Sequence, residues 1–465
     1  MTANPGEQNL RMLVDRYDRP GPRYTSYPTV PEWSDSYGPQ DFKQAICGAA
    51  ARTDEPLSLY LHIPFCRKRC WFCGCNTNVT GSPNSADAYL IRIRRETEII
   101  SQLLKDRKGV SQLHWGGGTP TILTTDQTRE AYRIHTDHFD INNNAEISVE
   151  LDPRVTTPER IDLFKKLGFN RLSLGVQDLD ENVQAAIGRD QNAGKTIELY
   201  HHCRRMGFPG INFDLIYGLP KQTPDSFRQT VNHVISLRPD RIALYSFAYL
   251  PQLKANQKKI EPADLPEAET KLQLFLIARK LFLDGGYVQI GMDHFVLPDD
   301  ELALAMKRGK LRRNFMGYTI NAAEDWLGIG ISSISYIDRQ FAQNASGISS
   351  YYEAIDNDRP AIYRGLKLSD DDVIRQQVIT DLMCNFRVDL NTISRQFGIE
   401  TEDYFAVELA KLQPFVDDSL VTRDKNIIAV TDMGQLFVRN IAMLFDVYLT
   451  KSNTDRPRGQ FSRTV

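Results

Sequence analysis

At 465 residues the chain has room for two or three domains of ordinary size, and its 41% hydrophobic and 25% charged residues describe a globular protein rather than a disordered or fibrous one. A net charge of -3 singles out neither nucleic acid nor an anionic membrane surface as a partner. The opening MTANPGEQNLRMLVDRYDRPG has no apolar stretch of signal-peptide length, and no uninterrupted apolar run reaches the roughly 20 residues that span a bilayer, so a cytoplasmic protein without membrane contact is expected.

Residues 1–55 contain the Pro- and Tyr-rich RPGPRYTSYPTVPEW and read as an ordered N-terminal arm laid over the main domain. Residues 56–340 read as an α/β catalytic domain. In it the short apolar runs LSLYLHIPF, SQLHWGG, AEISVEL, RLSLGVQ, INFDLIYG, RIALYSF and YVQIGMDHF are predicted strands, and ADAYLIRIRRETEIISQLL, PERIDLFKKLG and KTIELYHHCRRMG are predicted helices between them. Repeated βα units imply a parallel sheet, either a full or partial (β/α) barrel or an open doubly wound sheet; periodicity does not separate the two. Polar residues collect at strand ends, where barrel enzymes keep their chemistry: cysteines after the first strand, glycines after the second, Glu150 after the third, Gln177 after the fourth and Asp214 within the fifth. Residues 341–367 are expected to be a linker. Residues 368–465 change to helices followed by SLVTRDKNIIAVTDMGQLFV, two strands around a polar turn, which predicts a mainly helical, winged-helix-like domain. That region is not strongly basic, so a lid or docking role is expected rather than nucleic-acid binding.

The chemistry concentrates in His62-Ile63-Pro64-Phe65-Cys66-Arg67-Lys68-Arg69-Cys70-Trp71-Phe72-Cys73-Gly74-Cys75, where thiols recur at spacings of four, three and two. Four of the seven cysteines crowded into one loop do not make a secreted disulfide framework. Bunched thiolates suit iron–sulfur or zinc, and a structural zinc site would split its ligands into two separated pairs, which are absent from the sequence. Three cysteines would hold three corners of a [4Fe–4S] cluster and leave one iron open to a small molecule. A four-thiolate electron-transfer centre that also uses Cys75 is the other reading, though Cys73 and Cys75 are close for adjacent corners.

The CxxxCxxC motif closing a strand resembles the radical S-adenosylmethionine superfamily. YLHIPFC, the CGC ending, HWGGGTPT, SVELDPR, RLSLGVQD, DLIYGLPKQT, GMDHF, NFMGYT, CNFR and GPRYTSYPT extend the match from about residue 20 to 450, and together resemble the oxygen-independent coproporphyrinogen III oxidase family of bacterial haem biosynthesis. The resemblance implies that Cys66, Cys70 and Cys73 bind a [4Fe–4S] cluster whose fourth iron is chelated by S-adenosylmethionine, with Cys75 nearby in a catalytic or positioning role. It implies two S-adenosylmethionine molecules, the first at Tyr60, Gly117 and Glu150, the second at Phe72, Gly118, Thr119, Gln177, Arg189, Asp214, Ala248 and Ile334. Glycines admit close backbone approach, carboxylates accept from ribose or ammonium groups, and Arg189 can pair with a carboxylate. His62, beside the cluster loop, is a candidate for hydrogen bonding to substrate or ligand, or a satisfied structural histidine; Arg23, Arg312 and Arg313 are candidate anchors for substrate propionates.

The implied reaction converts two propionates of coproporphyrinogen III to the vinyls of protoporphyrinogen IX without oxygen. The 5′-deoxyadenosyl radical from S-adenosylmethionine starts it, with a low-potential electron donor as partner and a monomer as the oligomeric state. A radical-SAM-like haem chaperone is the alternative; Cys75 and GPRYTSYPT count against it.

Overall fold

The structure, a computed structural model, describes residues 5–320, 323–451 and 461–464. The chain divides into two units: residues 34–287 with 321–367, and residues 1–33 with 288–320 and 368–465.

The larger unit is built on the strands β1 (Leu57–Ile63), β2 (Gly109–Gly117), β3 (Asp140–Leu151), β4 (Arg171–Gln177), β5 (Gly210–Tyr217), β6 (Arg241–Ser246), β7 (Trp326–Ile329), β8 (Ile334–Ile337), β9 (Gln340–Asn344) and β10 (Ile362–Lys367). Their order across the sheet is β10-β9-β8-β7-β1-β2-β3-β4-β5-β6. From β7 through β1 to β6 neighbours are parallel, and β8, β9 and β10 add on antiparallel. Helices follow each of β1 to β6, among them Asn84–Leu104, Thr125–Thr136, Pro158–Lys166, Ala193–Arg205, Pro224–Leu237 and Ala268–Asp284. Several start on side-chain caps: Thr124, Asn192 and Thr223 accept from the amides of Gln127, Lys195 and Ser226.

Strand order decides the architecture that periodicity left open. A doubly wound sheet reverses direction at a switch point, whereas β1 to β6 follow one another in chain order, the pattern of a barrel. Six such units make a partial barrel. The predicted seventh strand, YVQIGMDHF, is instead an antiparallel hairpin of Val288–Ile290 and His294–Val296 in the smaller unit. Gly291 turns it at φ +52, a conformation open to glycine, and leaves no room for a Cβ against the Tyr318 hydroxyl.

The expected linker over 341–367 is a further correction: most of it belongs to β9, the helix Ile348–Asp356 and β10, because β10 completes the antiparallel edge of the sheet. The expected arm also divides. Residues 34–55 belong to the larger unit, where Phe42, Ala45 and Ile46 bury one face of the helix Pro39–Ala49. Tyr24 and Tyr27 are buried in the core of the smaller unit with Leu382, Phe405 and Phe445. Tyr24 Oη donates to Asp446 (2.9 Å), Gln376 donates to the Tyr27 carbonyl (2.8 Å) and Arg439 to the Pro22 carbonyl (2.9 Å). That core also holds the helices Asp370–Asn385, Leu390–Phe397 and Ala406–Asp417, beside an antiparallel three-stranded sheet of Arg387–Asp389, Ile427–Val430 and Val421–Asp424.

Candidate active site

Strand alternation gives the barrel two unlike faces. Leu59, Leu61, Leu113, Trp115, Val149, Leu172, Leu174, Phe213 and Leu215 are buried on one. The other carries Tyr60, His114, Ser148, Glu150, Ser173, Asn212 and Asp214, all half-buried. Barrel interiors are ordinarily filled with branched apolar side chains. This polar face is instead a hydrogen-bonded wall. His114 Nδ1 meets Ser148 Oγ at 2.6 Å and the His114 ring stacks on Tyr60 with centroids 5.8 Å apart. Asp214 accepts from Ser173 Oγ (3.0 Å) and Asn212 Nδ2 (2.8 Å). Below them a chain from Ser58 to Gln112, Glu146 and Arg171 closes the strands' N-terminal end.

Glu150 lies deep in the protein, yet 43% of its side chain is accessible, as expected of a group lining a cavity. Its carboxylate accepts from the Gly117 amide (3.0 Å) and faces His114 Nε2 at 3.4 Å. Burial alone would raise its pKa, but His114 and the amide hold it below the ordinary carboxylate value, so it is an anion at neutral pH. Gly117 makes this possible: it sits at φ +114, and a Cβ there would stand 2.6 Å from the His62 ring. His62 Nε2 is 3.0 Å from the Asn76 carbonyl, which only accepts, so Nε2 carries the proton and Nδ1 accepts from Tyr60 Oη at 3.1 Å. Burial lowers its pKa and keeps the ring neutral. Both ring nitrogens of His62 are thus partnered, by Tyr60 Oη and the Asn76 carbonyl, and the ring lies against Gly117.

The cysteine loop leaves β1 through the short pairing of Phe65–Cys66 with Asn78–Val79. It is held from the segment after β6. Asn256 Nδ2 donates to the carbonyls of Cys70, Trp71 and Cys73 at 3.1, 2.9 and 3.0 Å, and Gln257 Nε2 bridges the carbonyls of Phe72 (3.1 Å) and Ala248 (3.0 Å). Trp71 packs over Gly188, where a Cβ would meet the indole at 2.5 Å. Cys66 Sγ is 3.4 Å from the Thr119 hydroxyl, and Cys70 Sγ accepts from Arg154 (3.3 Å) and Arg189 (3.4 Å). The Cys75 thiol donates to Cys73, lowering the pKa of Cys73 and raising its own.

This donor set fits an iron–sulfur cluster: three sulfurs on one pinned loop, each met by a hydrogen-bonding side chain that stabilises thiolate. Among the described residues no three His, Cys, Asp or Glu side chains are arranged to hold a single ion, whereas a cubane spreads its ligands over separate irons.

The radical SAM superfamily model matches residues 60–234, and that of the HemN C-terminal domain matches residues 368–437. The oxygen-independent coproporphyrinogen III oxidase of Escherichia coli (strain K12) is 45% identical over 453 residues, which cover 97% of this chain and 98% of the relative. That of Synechocystis sp. is 42% identical over 469 residues, the whole of both chains. The chain belongs to the oxygen-independent coproporphyrinogen III oxidase family. The solved structure of the Escherichia coli coproporphyrinogen III oxidase, described as a radical SAM enzyme, superposes with a TM-score of 0.90 at 45% identity, covering 94% of this chain and 98% of that one. Family membership makes a [4Fe–4S] cluster and S-adenosylmethionine its cofactors.

Against that family the predicted residues fall into groups. Tyr60, His62, Gly117, Glu150 and Cys75 form one neighbourhood, in which the charge of Glu150 acts on Tyr60, His62 and Cys75. Gly118 and Thr119 lie against the loop, their amides donating to the carbonyls of Ile63 (2.7 Å) and Phe65 (2.9 Å). Gln177 ends β4 at a register shift with φ +66, a strained position for a side chain of its kind. Arg189 donates to the Gly175 carbonyl (2.8 Å) and Gln191 (2.6 Å) and pairs with Asp152 (3.3 Å). Phe72 packs with Val183, Ile187 and Leu219. Ile334 stands on β8, on the opposite flank of β1 from β4 and β5.

Sequence reading did not single out Asp152, Arg154, His114, Asn256 or Gln257; the DPR of SVELDPR was the available signal for the first two. Arg313, read as a propionate anchor, is buried against Asp293 (3.2 Å) and over the Tyr318 ring, so its charge is already matched. Arg312 pairs with Asp381 at 3.2 Å and keeps 43% of its side chain exposed.

Proposed function

We propose that this chain catalyses the oxygen-independent conversion of two propionates of coproporphyrinogen III to the vinyls of protoporphyrinogen IX. The observation that carries this reading is the pinned Cys66–Cys70–Cys73 loop at the mouth of a barrel whose inner face is polar, in a chain similar over its whole length to oxidases of that name. When bound, the cluster supplies one electron to S-adenosylmethionine and so generates the radical that abstracts a hydrogen beside the ring.

Cys66, Cys70 and Cys73 would hold the cluster. Glu150, kept anionic by the Gly117 amide and His114, would accept from a cationic or hydroxylic group of the first S-adenosylmethionine, and Tyr60 would line the same place. Asp214, held by Ser173 and Asn212, would accept from the second molecule, Gln177 would line the same place, and Arg189 would donate to it. Cys75 would remain a thiol beside the cluster, because its proton is shared toward Cys73. Each vinyl formed releases one carbon dioxide and two electrons, one leaving with the abstracted hydrogen and one passing to an acceptor.

The chain is proposed to act as a cytoplasmic monomer that draws on a low-potential donor and engages neither nucleic acid nor membrane. Two observations bear on the expected lack of membrane and nucleic-acid contact: no described helix is long and apolar enough to cross a membrane, and residues 368–465 carry more acidic than basic side chains. Anaerobic turnover of coproporphyrinogen III by reconstituted protein is the test. Methionine and 5′-deoxyadenosine should each appear at about two per protoporphyrinogen IX, one radical per vinyl; absence of decarboxylation would refute the reading.

A further inference from the structure

The three cluster cysteines do not share one environment. Cys66 meets the neutral hydroxyl of Thr119, and Cys73 meets the Cys75 thiol. Cys70 receives two cationic donors, Arg154 Nη2 at 3.3 Å and Arg189 Nη1 at 3.4 Å. Both guanidiniums are tied to one carboxylate: Asp152 Oδ2 accepts from Arg154 Nη2 (2.6 Å), and Oδ1 accepts from Arg154 Nε (3.0 Å) and Arg189 Nη2 (3.3 Å). The Arg154 amide also donates to Asp152 (3.0 Å), so backbone and side chain of the same residue both fix the carboxylate. All three side chains are largely withdrawn from water, at 10% accessible for Asp152, 16% for Arg154 and 6% for Arg189. One carboxylate against two guanidiniums leaves a net positive charge aimed at a single sulfur.

We propose that Asp152, Arg154 and Arg189 are a cationic clamp on the Cys70 corner of the cluster and set how readily it accepts an electron. The proposal rests on the cofactor reading above. A reduced cluster carries one more negative charge, spread partly onto its thiolates. Fixed donors on a thiolate therefore stabilise the reduced form more than the oxidised form and raise the potential, the lever by which sulfur hydrogen bonds and local charge tune such centres. Low solvent access strengthens the effect, because the donors need not compete with water. Asp152 contributes aim rather than charge: without it two buried like-charged side chains would repel each other away from the sulfur. Arg154 and Asp152 act through Cys70 and are positioning residues.

The test is an EPR-monitored redox titration of full-length, anaerobically reconstituted protein, wild type against Arg154→Gln and Arg154→Lys, with iron and sulfide determined on the same samples. Arg154→Gln should bind its cluster and show at least a tenfold lower ratio of reduced to oxidised cluster at fixed potential, a midpoint about 59 mV or more below wild type for a one-electron couple. Arg154→Lys, which keeps the charge and loses the fork, should fall between the two. A midpoint equal to wild type in a cluster-loaded Arg154→Gln protein overturns the clamp while leaving the cofactor reading intact. If Arg154→Gln cannot retain a cluster, Arg154→Lys decides: a lowered midpoint supports the clamp and an unchanged one overturns it. A wild-type protein that binds no cluster would overturn both readings together.

Discussion

Replacing Glu150 by Gln isolates one charge at the centre of the site. Gln has the same shape, and its carbonyl oxygen can keep the 3.0 Å bond from the Gly117 amide while its NH2 faces the His114 ring. Packing against Gly116, whose Cβ position is 2.8 Å from the carboxyl carbon, is also preserved. What disappears is the anion that would receive the ligand's charged donor. A hydrogen bond to a charged group contributes about 1.5–3 kcal/mol. At about 1.4 kcal/mol per tenfold, S-adenosylmethionine should bind roughly 10- to 100-fold more weakly. Equilibrium dialysis of labelled S-adenosylmethionine against the reconstituted protein measures this, with a thermal melt as the control. Because the Glu150 pKa lies below its ordinary value, wild-type affinity should not decline as pH falls from 8 to about 5 on account of this group. Undiminished affinity in Glu150→Gln refutes the role; a large loss of melting temperature would mean that the carboxylate serves the fold instead.

Cys66→Ala, Cys70→Ala and Cys73→Ala should each abolish the cluster, while Cys75→Ser should retain it and lose most turnover; iron and sulfide content beside activity separates the two cases, and cluster loss in Cys75→Ser would make Cys75 a ligand. Gly117→Ala should cost about 1–3 kcal/mol for the backbone at φ +114, and more for the collision with His62. Gly207→Ala, at φ +72 with nothing within 4 Å of its Cβ, is the control for backbone strain alone, and equal losses in denaturant would dismiss the His62 contact. Glu96 is buried under three donors, Tyr351, Asn344 and the Gly330 amide, and burial raises its pKa from 4.5 to about 7. The folded state then binds the extra proton, so this group's contribution to stability is greatest below pH 4.5 and is lost as pH rises to about 7, by about 3 kcal/mol from the shift. Glu96→Gln should flatten that part of the pH profile in urea unfolding, and an unaltered profile would assign it to other groups.

Much of this molecule was legible in sequence because the signals are local. Alternation of apolar runs and amphipathic stretches located β1 to β6 and the helices Asn84–Leu104, Pro158–Lys166 and Ala193–Arg205, since side-chain period is set by each element's own backbone geometry. The cysteine spacing within ten residues, the glycines of HWGGGTPT and the carboxylate ending SVEL marked the loop and strand ends where chemistry gathers, and the helices with a hairpin after residue 368 were visible for the same reason.

Other features depend on which distant segments meet, and no local pattern carries that. Strand order excluded a doubly wound sheet, and β-ladder pairing turned the expected linker into β9 and β10. Asn256 reaches the cysteine loop from more than 180 residues away, and Arg189 and Arg154 reach Cys70 across 119 and 84. Arg313 was a candidate anchor because it lies in a family-like segment, and its pairing with the buried Asp293 is a contact that no local pattern shows. Local periodicity says which residues share a face of one strand. Whether that face becomes a packed core or a polar cavity is decided only when β1 to β6 line up and Tyr60, His114, Ser148 and Glu150 must satisfy one another's hydrogen bonds.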